Sequence, residues 1–160
     1  MLRSVRFALG LELDIRTRQR SDVAFIAALA SEAFAEYSPG SARHTVSMSD
    51  EPGAHTWLAV RGSERLGFAV MRSGSERSVR LDAIAVEPAS RGLGIGRRLL
   101  WHVEVEARSL AAARIELATA EANLAALDLF LKEGFRIVRT MRRYYPRGQD
   151  AHILEKRLGR

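Results

Sequence analysis

The sequence predicts a mixed α/β (α+β) domain in which helices cover both faces of one central sheet. Apolar residues alternate with polar ones over several short runs, which is typical of strands. Other segments carry apolar residues at helical spacing. The two kinds of segment follow one another in the order β, α, loop, β, β, β, α, β, α, β, β, and such an order favours a single layered domain.

Length and composition agree with one domain. The chain has 160 residues, of which 47% are hydrophobic and 28% charged, as in ordinary globular proteins. We assign residues 1–10 to an N-terminal extension and residues 11–160 to the domain. The opening residues do not indicate a signal peptide, because Glu12 and Asp14 interrupt the apolar stretch and no cleavage pattern follows.

Charge and cysteine content narrow the function classes. The formal net charge of +6 comes mostly from scattered arginines, and no aromatic residues alternate with them, so nucleic-acid binding is not favoured. A chain without cysteine has no disulfide or thiolate site, and this is consistent with a cytoplasmic location. No stretch approaches the roughly 18 apolar residues of a membrane span. The histidines show no metal-ligand spacing, so no metal is expected.

The N-terminal half is predicted as strand, helix, loop and meander. Residues 11–16 alternate like a strand, and Ser21 offers an N-cap for the helix that follows. The apolar positions of this helix are Val23, Ile26, Ala27, Ala30 and Phe34. Residues 35–53 contain two prolines and are predicted as a long loop or a short helix between loops. Residues 55–86 hold three β-rich runs around short turns, which predicts an antiparallel meander.

The C-terminal half is predicted as helix, strand, helix and two strands. A helix over residues 94–111 has an apolar stripe at Leu99, Leu100, Val103, Ala107 and Leu110. The short strand "RIEL" follows, and then a helix over residues 123–133, which Gly134 ends. The last two strands, "FRIVRTMRRYY" and "DAHILEKRL", are joined at "PRGQ".

The stretch "SRGLGIGRRLL", residues 90–100, is predicted to bind an anion. Backbone N–H groups of a glycine-rich turn and of a helix start attract phosphate. Gly92, Gly94 and Gly96 would permit close approach and positive φ, and the neighbouring arginines supply full charges. These are Arg91, Arg97 and Arg98.

Two other phosphate-binding motifs do not fit this stretch. A P-loop needs Lys-Ser or Lys-Thr after its last glycine, and neither pair occurs in the chain. A dinucleotide fingerprint would place its third glycine at Leu99, and here the glycines follow a meander rather than a first parallel strand. A turn whose glycines only permit packing is the remaining alternative.

The glycine stretch resembles the acetyl-CoA motif of the GNAT family of N-acetyltransferases, which is Arg/Gln-x-x-Gly-x-Gly/Ala after an apolar strand and a nearby proline. Here Arg91, Gly94 and Gly96 follow "AIAVEP". A second segment, "NLAALDLFLKEGF", is similar to the family's Asn-x-x-Ala-x-x-x-Tyr-x-x-x-Gly-Phe. Its matching residues are Asn123, Ala126, Phe130, Gly134 and Phe135.

The resemblance implies a GNAT fold whose fourth and fifth strands splay apart into a V-shaped slot. Acetyl-CoA is then the cosubstrate, with its diphosphate on the turn and its pantetheine beside the fourth strand. A backbone N–H near Ala85 would polarise the acetyl carbonyl. The implied coenzyme-binding residues are Ile84, Ala85, Val86, Arg91, Gly92, Leu93, Gly94, Ile95, Gly96, Arg97, Asn123, Ala126 and Phe130.

The C-terminal stretch "RRYYPRGQDAHILEKRL" is similar to protein N-terminal acetyltransferases, including the ribosomal-protein alanine acetyltransferases. The resemblance implies that Tyr144 and Tyr145 wall the slot for a peptide's first residues, and that Phe34 and Pro39 belong to the substrate loop. The alternative is that the two tyrosines finish a strand and pack.

Two expected catalytic side chains are absent. The tyrosine that protonates the departing thiolate in the family matches Phe130, and the Glu or His that acts as base matches Ala118. The substitutes that the sequence offers are Tyr144 or Tyr145 as the acid, and Asp82, Glu116 or Glu121 as a base acting through water.

The sequence therefore predicts direct acetyl transfer from acetyl-CoA to a primary amine, with a peptide or protein N-terminal α-amine favoured. The alternatives are a small-molecule amine as acceptor, or a degenerate member that binds the coenzyme without catalysis. A basic nucleic-acid-binding module is a weaker alternative. Monomer and homodimer stay open.

Overall fold

The computed structural model describes residues 12–159 and the backbone of Val5–Arg6. The strands are β1 (Val5–Arg6), β2 (Glu12–Thr17), β3 (Ala54–Arg61), β4 (Glu64–Ser73), β5 (Ser78–Val86), β6 (Arg114–Ala120), β7 (Arg136–Met141) and β8 (Ala151–Arg157). The helices are α1 (Val23–Phe34), α2 (Ser41–Ser49), α3 (Ile95–Ser109) and α4 (Leu124–Lys132). Short 3₁₀ turns at Arg20–Asp22 and Pro88–Ser90 precede α1 and α3.

The element order from β2 onward confirms the mixed α/β prediction. β3, β4 and β5 form the antiparallel meander, and the segment over residues 35–53 contains the short helix α2. Val5–Arg6 pairs with β2, so a part of the predicted extension belongs to the sheet. The rest of residues 1–11 lies outside the described part, and the domain boundary stays a prediction. No described helix is long and apolar enough to cross a membrane.

All eight strands form one sheet in the order β1-β2-β3-β4-β5-β6-β8-β7. Neighbours are antiparallel except β5 and β6, which run parallel. β5 and β6 pair only at their first residues: Ser78 with Arg114, Val79 with Ile115, and Arg80 with Glu116. Beyond these pairs β5 continues along β4 and β6 continues along β8. The sheet therefore opens into a V at the predicted place, between the fourth and fifth strands of the sequence analysis.

Helices cover both faces of the sheet because the central strands are apolar on both sides. In β4, Phe68 and Val70 pack towards α1 and α2, while Ala69 and Met71 pack towards α3. This alternation follows from the period of two along a strand. Burial on both faces explains why β3 and β4 read as nearly continuous apolar runs.

Two details of the helices differ from the sequence prediction. The N-cap of α1 is Asp22 rather than Ser21, because a 3₁₀ turn occupies Arg20–Asp22 and the Asp22 carboxylate closes that turn by accepting the Gln19 N–H at 2.7 Å. Leu110 does not belong to the buried stripe of α3: it is the C-cap residue and is 46% exposed. The chain turns away before Leu110 reaches the sheet.

Candidate active site

The glycine-rich turn lies between the end of β5 and the start of α3. Gly92 and Gly94 have φ values of 77° and 80°, a region that favours glycine. Gly96 has no positive φ, contrary to the sequence prediction; a Cβ on it would stand 3.1 Å from Cδ2 of Leu129 in α4. Gly92 and Gly94 therefore shape the turn, whereas Gly96 permits close helix packing.

The start of α3 presents backbone N–H groups for an anion. The first hydrogen bond of the helix runs from the Arg98 N–H to the Gly94 carbonyl at 3.0 Å, and the preceding N–H groups have no acceptor within the helix. Leu93 is half exposed at this end, while Ile95 is buried beneath it. This geometry suits a phosphate at a helix N-terminus.

Two of the three arginines around the turn, Arg91 and Arg97, are engaged with carboxylates. Arg91 donates to the Val86 carbonyl and to Oε2 of Glu32, each at 3.0 Å. The side chain of Arg97 turns towards the end of α4, where its Nε lies 2.9 Å from Oε1 of Glu133. About half of each arginine side chain is exposed. Contact with a bound diphosphate would therefore require these surface ion pairs to exchange.

The register of β5 decides which backbone groups face the V. The Glu87 N–H donates to the Leu66 carbonyl in β4, and hydrogen-bonded pairs alternate in an antiparallel ladder. Ala85, opposite Phe68, therefore directs its N–H towards β4. The N–H groups of Ile84 and Val86 face the V instead, so these two groups, and not the Ala85 N–H, are directed towards a group bound in the V.

A cavity of about 610 Å³ opens below the V. Its walls come from the end of α1, from α2, from the facing parts of β5 and β6, and from the turn between β7 and β8. It brings together Phe34, Pro39, Asp82, Asn123, Tyr144 and Tyr145, which the sequence singled out. The substrate loop and the two tyrosines, far apart in the chain, thus share one cavity.

Asp82 lies in the cavity wall but its carboxylate is already engaged. Arg72 donates to both carboxylate oxygens, and Nε of Arg80 lies 3.3 Å from Oδ1. The side chain is only 4% exposed. The same contact with Asp82 raises the pKa of Arg72 above its ordinary value, with burial opposing it and Glu51 contributing. Two guanidinium groups therefore already occupy the carboxylate of Asp82.

The paired tyrosines differ in their surroundings. The Tyr144 hydroxyl accepts a hydrogen bond from Nη2 of Arg80 at 3.0 Å. Tyr145 packs against Tyr144 and Tyr37, with ring centroids 5.0 and 5.6 Å away. Burial raises the pKa of Tyr145 to about 12, and the neighbouring tyrosines add to the shift. Tyr144 thus has a guanidinium group as hydrogen-bond partner, whereas Tyr145 is surrounded by aromatic rings.

The structure places three other predicted residues outside this cavity. Glu116 is paired with Arg114 at 2.7 Å, at the closed end of the V. Glu121 is exposed after β6, and its backbone N–H donates to Asp150. Phe130 is 4% exposed and packs edge-on against Phe135 in the core. Neither carboxylate lines this cavity, so neither is in position to act as a base for a molecule bound there.

Asn123 begins α4, where it shapes the wall of the cavity. Its Oδ1 accepts the N–H of Ala126 at 3.3 Å, which makes it the N-cap of the helix. Ala126 is partly buried against the core. Asn123 thus faces the cavity while Ala126 and Phe130 lie deeper, and the three do not form one open face.

Sequence reasoning did not single out Tyr37, Arg72 or Arg80 as site residues. Period-two alternation puts Arg80 and Asp82 on the same face of β5, so the sequence alone could have indicated that Arg80 lies beside Asp82. Arg72 could be found only from the pairing of β4 with β5. Tyr37 lies in the quoted stretch "SEAFAEYSP", but its contact with Tyr145 depends on the tertiary fold.

Within residues 12–159 the structure shows no group of three or more His, Asp or Glu side chains that could hold a metal ion. His102 packs edge-on against Trp57 at 5.0 Å between ring centroids. Burial lowers the pKa of His102. Its environment is that of a neutral core histidine.

Comparison with known proteins identifies the family. The sequence profile of the acetyltransferase (GNAT) family matches residues 23–135. The uncharacterized N-acetyltransferase YvbK of Bacillus subtilis (strain 168) is 29% identical over 99 residues, which is 62% of this chain and 64% of that protein's length.

Two solved structures have the same fold. The ribosomal-protein-S18-alanine N-acetyltransferase from Escherichia coli superposes with a TM-score of 0.80 at 24% identity, covering 92% of this chain and 95% of that one. The NatC complex bound to Gag peptide and CoA contains a chain with a TM-score of 0.78 at 24% identity, covering 92% of this chain and 99% of that one.

The chain therefore belongs to the acetyltransferase (GNAT) family, a family of acetyl-CoA-dependent N-acetyltransferases.

Proposed function

We propose that the chain transfers the acetyl group of acetyl-CoA directly to the α-amine of a peptide or protein. The observation that carries this proposal is the V between β5 and β6. β5 runs along the V from Asp82 and Ala83, which line the cavity, to Val86, after which the glycine turn follows. The names of the two solved structures, an alanine N-acetyltransferase and a complex with a peptide, support the peptide acceptor. The cytoplasmic location stays a prediction.

The proposed coenzyme site uses backbone groups. N–H groups at the start of α3 bind the diphosphate, and Arg91 reaches it after leaving Glu32. The N–H groups of Ile84 and Val86 face the pantetheine and the acetyl carbonyl. Donation to that carbonyl oxygen stabilises the negative charge that develops when the amine attacks.

An α-amine suits a site that lacks a free base. Its pKa of about 7.7–8.0 means that deprotonation near neutral pH costs only about 1–1.4 kcal/mol, whereas a lysine side chain costs about 4.6 kcal/mol. The uncharged amine then attacks the thioester carbon without help from Asp82.

The leaving thiolate receives its proton from Tyr144 in this proposal. The nitrogen–carbon bond forms, the carbon–sulfur bond breaks, and the Tyr144 hydroxyl protonates the sulfur. The nitrogen of the new amide loses a proton to water, and the Tyr144 phenolate takes up a proton from water to become a phenol again. Arg80, 3.0 Å from the hydroxyl, stabilises the transient phenolate.

A peptide library incubated with acetyl-CoA tests the acceptor class. We expect mass spectrometry to show acetylation of α-amines and not of internal lysines, with CoA released in equal amount. A polyamine and amino-acid panel serves as the control. CoA release with small amines, without any acetylated peptide, would show that the acceptor is a small molecule and not a peptide. Coenzyme binding without release across both panels would indicate a non-catalytic member.

A further inference from the structure

Four arginines lie in or near the turn that contributes Tyr144, Tyr145 and Pro146 to the cavity wall. Arg139 lies near the end of β7, and Arg142, Arg143 and Arg147 lie in the turn before β8. All four side chains are exposed. We call this group the arginine rim.

Within the described residues, the rim brings four arginines with unpaired charges into neighbouring positions of the chain, whereas Arg20 and Arg157, which are also unpaired there, lie in other elements. Arg16, Arg61, Arg72, Arg91, Arg97, Arg108 and Arg114 each contact a carboxylate within 4.0 Å. The structure shows no such partner for the rim side chains among residues 12–159. Arg143 engages Asp150 only through its backbone N–H, at 2.8 Å. The rim therefore carries positive charge that the fold itself does not use.

The rim is directly connected to the cavity. Tyr144, Tyr145 and Pro146 line the cavity, and rim residues precede and follow them in the same turn. The side-chain amide of Gln149 donates to the Glu36 carbonyl at 2.9 Å, which holds the turn against the loop after α1. Asp150, Glu36 and Glu121 are acidic residues near this turn, and the four rim arginines outnumber them.

A polypeptide fits this arrangement better than a nucleic acid. Base stacking needs exposed aromatic faces beside the charges, whereas Tyr145 packs between Tyr144 and Tyr37. An extended chain advances about 3.3–3.6 Å per residue. A chain with its first residues in the cavity therefore reaches the rim from about its fourth residue on.

We infer that the preferred acceptor is a polypeptide whose N-terminal residues are followed by an acidic segment, which the arginine rim binds. This inference rests on the proposed function. Exposed ion pairs are individually weak, so the rim acts on acceptor affinity and not on the chemical step. We therefore expect the rim to change KM and not kcat.

Matched peptides test the inference. They share their first residues and differ from about the fourth residue on, where they carry Glu, Gln or Lys. We expect kcat/KM for the Glu peptide to exceed that for the Gln peptide about three- to tenfold, through KM, with the Lys peptide lowest. The preference should disappear at an ionic strength of about 1 M, where charges are screened within about 3 Å.

The double variant Arg142→Gln/Arg147→Gln should lose the preference while kcat for the Gln peptide stays unchanged. Arg20→Gln/Arg157→Gln removes the same charge and should retain it. Arg20 and Arg157 are exposed. Arg20 precedes the start of α1, whereas the cavity is lined by the other end of this helix, about 18 Å away. Arg157 ends β8 at the closed end of the V.

Three outcomes overturn the inference. Acetylation of all peptides at equal kcat/KM removes the rim preference but leaves the proposed function intact. The same result together with rim-dependent, salt-sensitive RNA binding would assign the rim to nucleic acid instead. Absence of acetylation from every peptide overturns both proposals.

Discussion

Arg80 lies between the two groups that the sequence offered as acid and as base. It contacts Oδ1 of Asp82 at 3.3 Å and donates to the Tyr144 hydroxyl at 3.0 Å. The first contact helps to occupy the carboxylate in the cavity wall, and the second holds the hydroxyl that we propose as the acid. One side chain thus engages both groups.

The two tyrosines should therefore respond differently to loss of the hydroxyl. We expect Tyr144→Phe to lower kcat about 10²- to 10⁴-fold, the range typical for a positioned acid. Tyr145→Phe, whose hydroxyl has a raised pKa, should change kcat by much less. Steady-state kinetics with saturating acetyl-CoA measure both. Equal losses, or a larger loss for Tyr145→Phe, would contradict the assignment of the acid.

At the scale of elements, the turn between β5 and α3 depends on two glycines with positive φ. Gly94→Ala places a side chain in a conformation that costs an L-residue roughly 1–2 kcal/mol, although no atom lies within 4 Å of the new Cβ. We expect the variant to lose about this much stability and also to bind acetyl-CoA more weakly, because the N–H groups shift. Chemical denaturation and coenzyme titration measure the two effects.

Gly53 provides the matched control. Its φ is 79°, and a Cβ on it likewise meets nothing within 4 Å, but it lies in the turn before β3. Gly53→Ala should lose similar stability and keep its coenzyme affinity. If both variants lose affinity equally, the turn between β5 and α3 is not the coenzyme site.

The sequence predicted elements better than contacts between them. Periodicity and glycine positions were sufficient for β2 to β8 and for α1, α3 and α4, because local patterns specify them. They could not show that Glu116 is paired with Arg114, or that Phe130 lies in the core beside Phe135. Motif matching assigns a position in the family, whereas burial and ion pairing depend on neighbours distant in the chain.

At the scale of the whole molecule, Asp22 joins three elements through one buried carboxylate. Its oxygens accept from Arg16 of β2 at 2.7 and 2.9 Å and from Arg65 of β4 at 2.7 Å, at the start of α1. The hydrogen bonds from Arg16, with those from Arg65 and Gln19, lower the pKa of Asp22 far below its ordinary value against the opposing effect of burial.

This lowered pKa predicts an acid-sensitive contribution to stability. The contribution is complete above the unfolded aspartate pKa of about 3.9 and is lost as pH falls below it, because the unfolded chain takes up the proton first. We expect Asp22→Asn to cost about 3 kcal/mol at neutral pH and to weaken the acid dependence. Denaturant melts between neutral pH and about pH 3 measure both.

Asp14→Asn is the control for this experiment. Asp14 is exposed on β2, so its substitution should stay within about 0.5 kcal/mol and leave the acid dependence intact. An Asp22→Asn protein as stable as the wild type at neutral pH would show that the two guanidinium contacts contribute little.

The short parallel contact between β5 and β6 also bears on how the chain folds. β1 to β5 are successive antiparallel neighbours, and β6, β7 and β8 form a second group. Each group is held together by ladders along most of its strands, whereas only three residue pairs and the packing of α3 join the two groups. Amide hydrogen exchange should therefore resolve two cooperative units, with the earliest opening along the line where they meet.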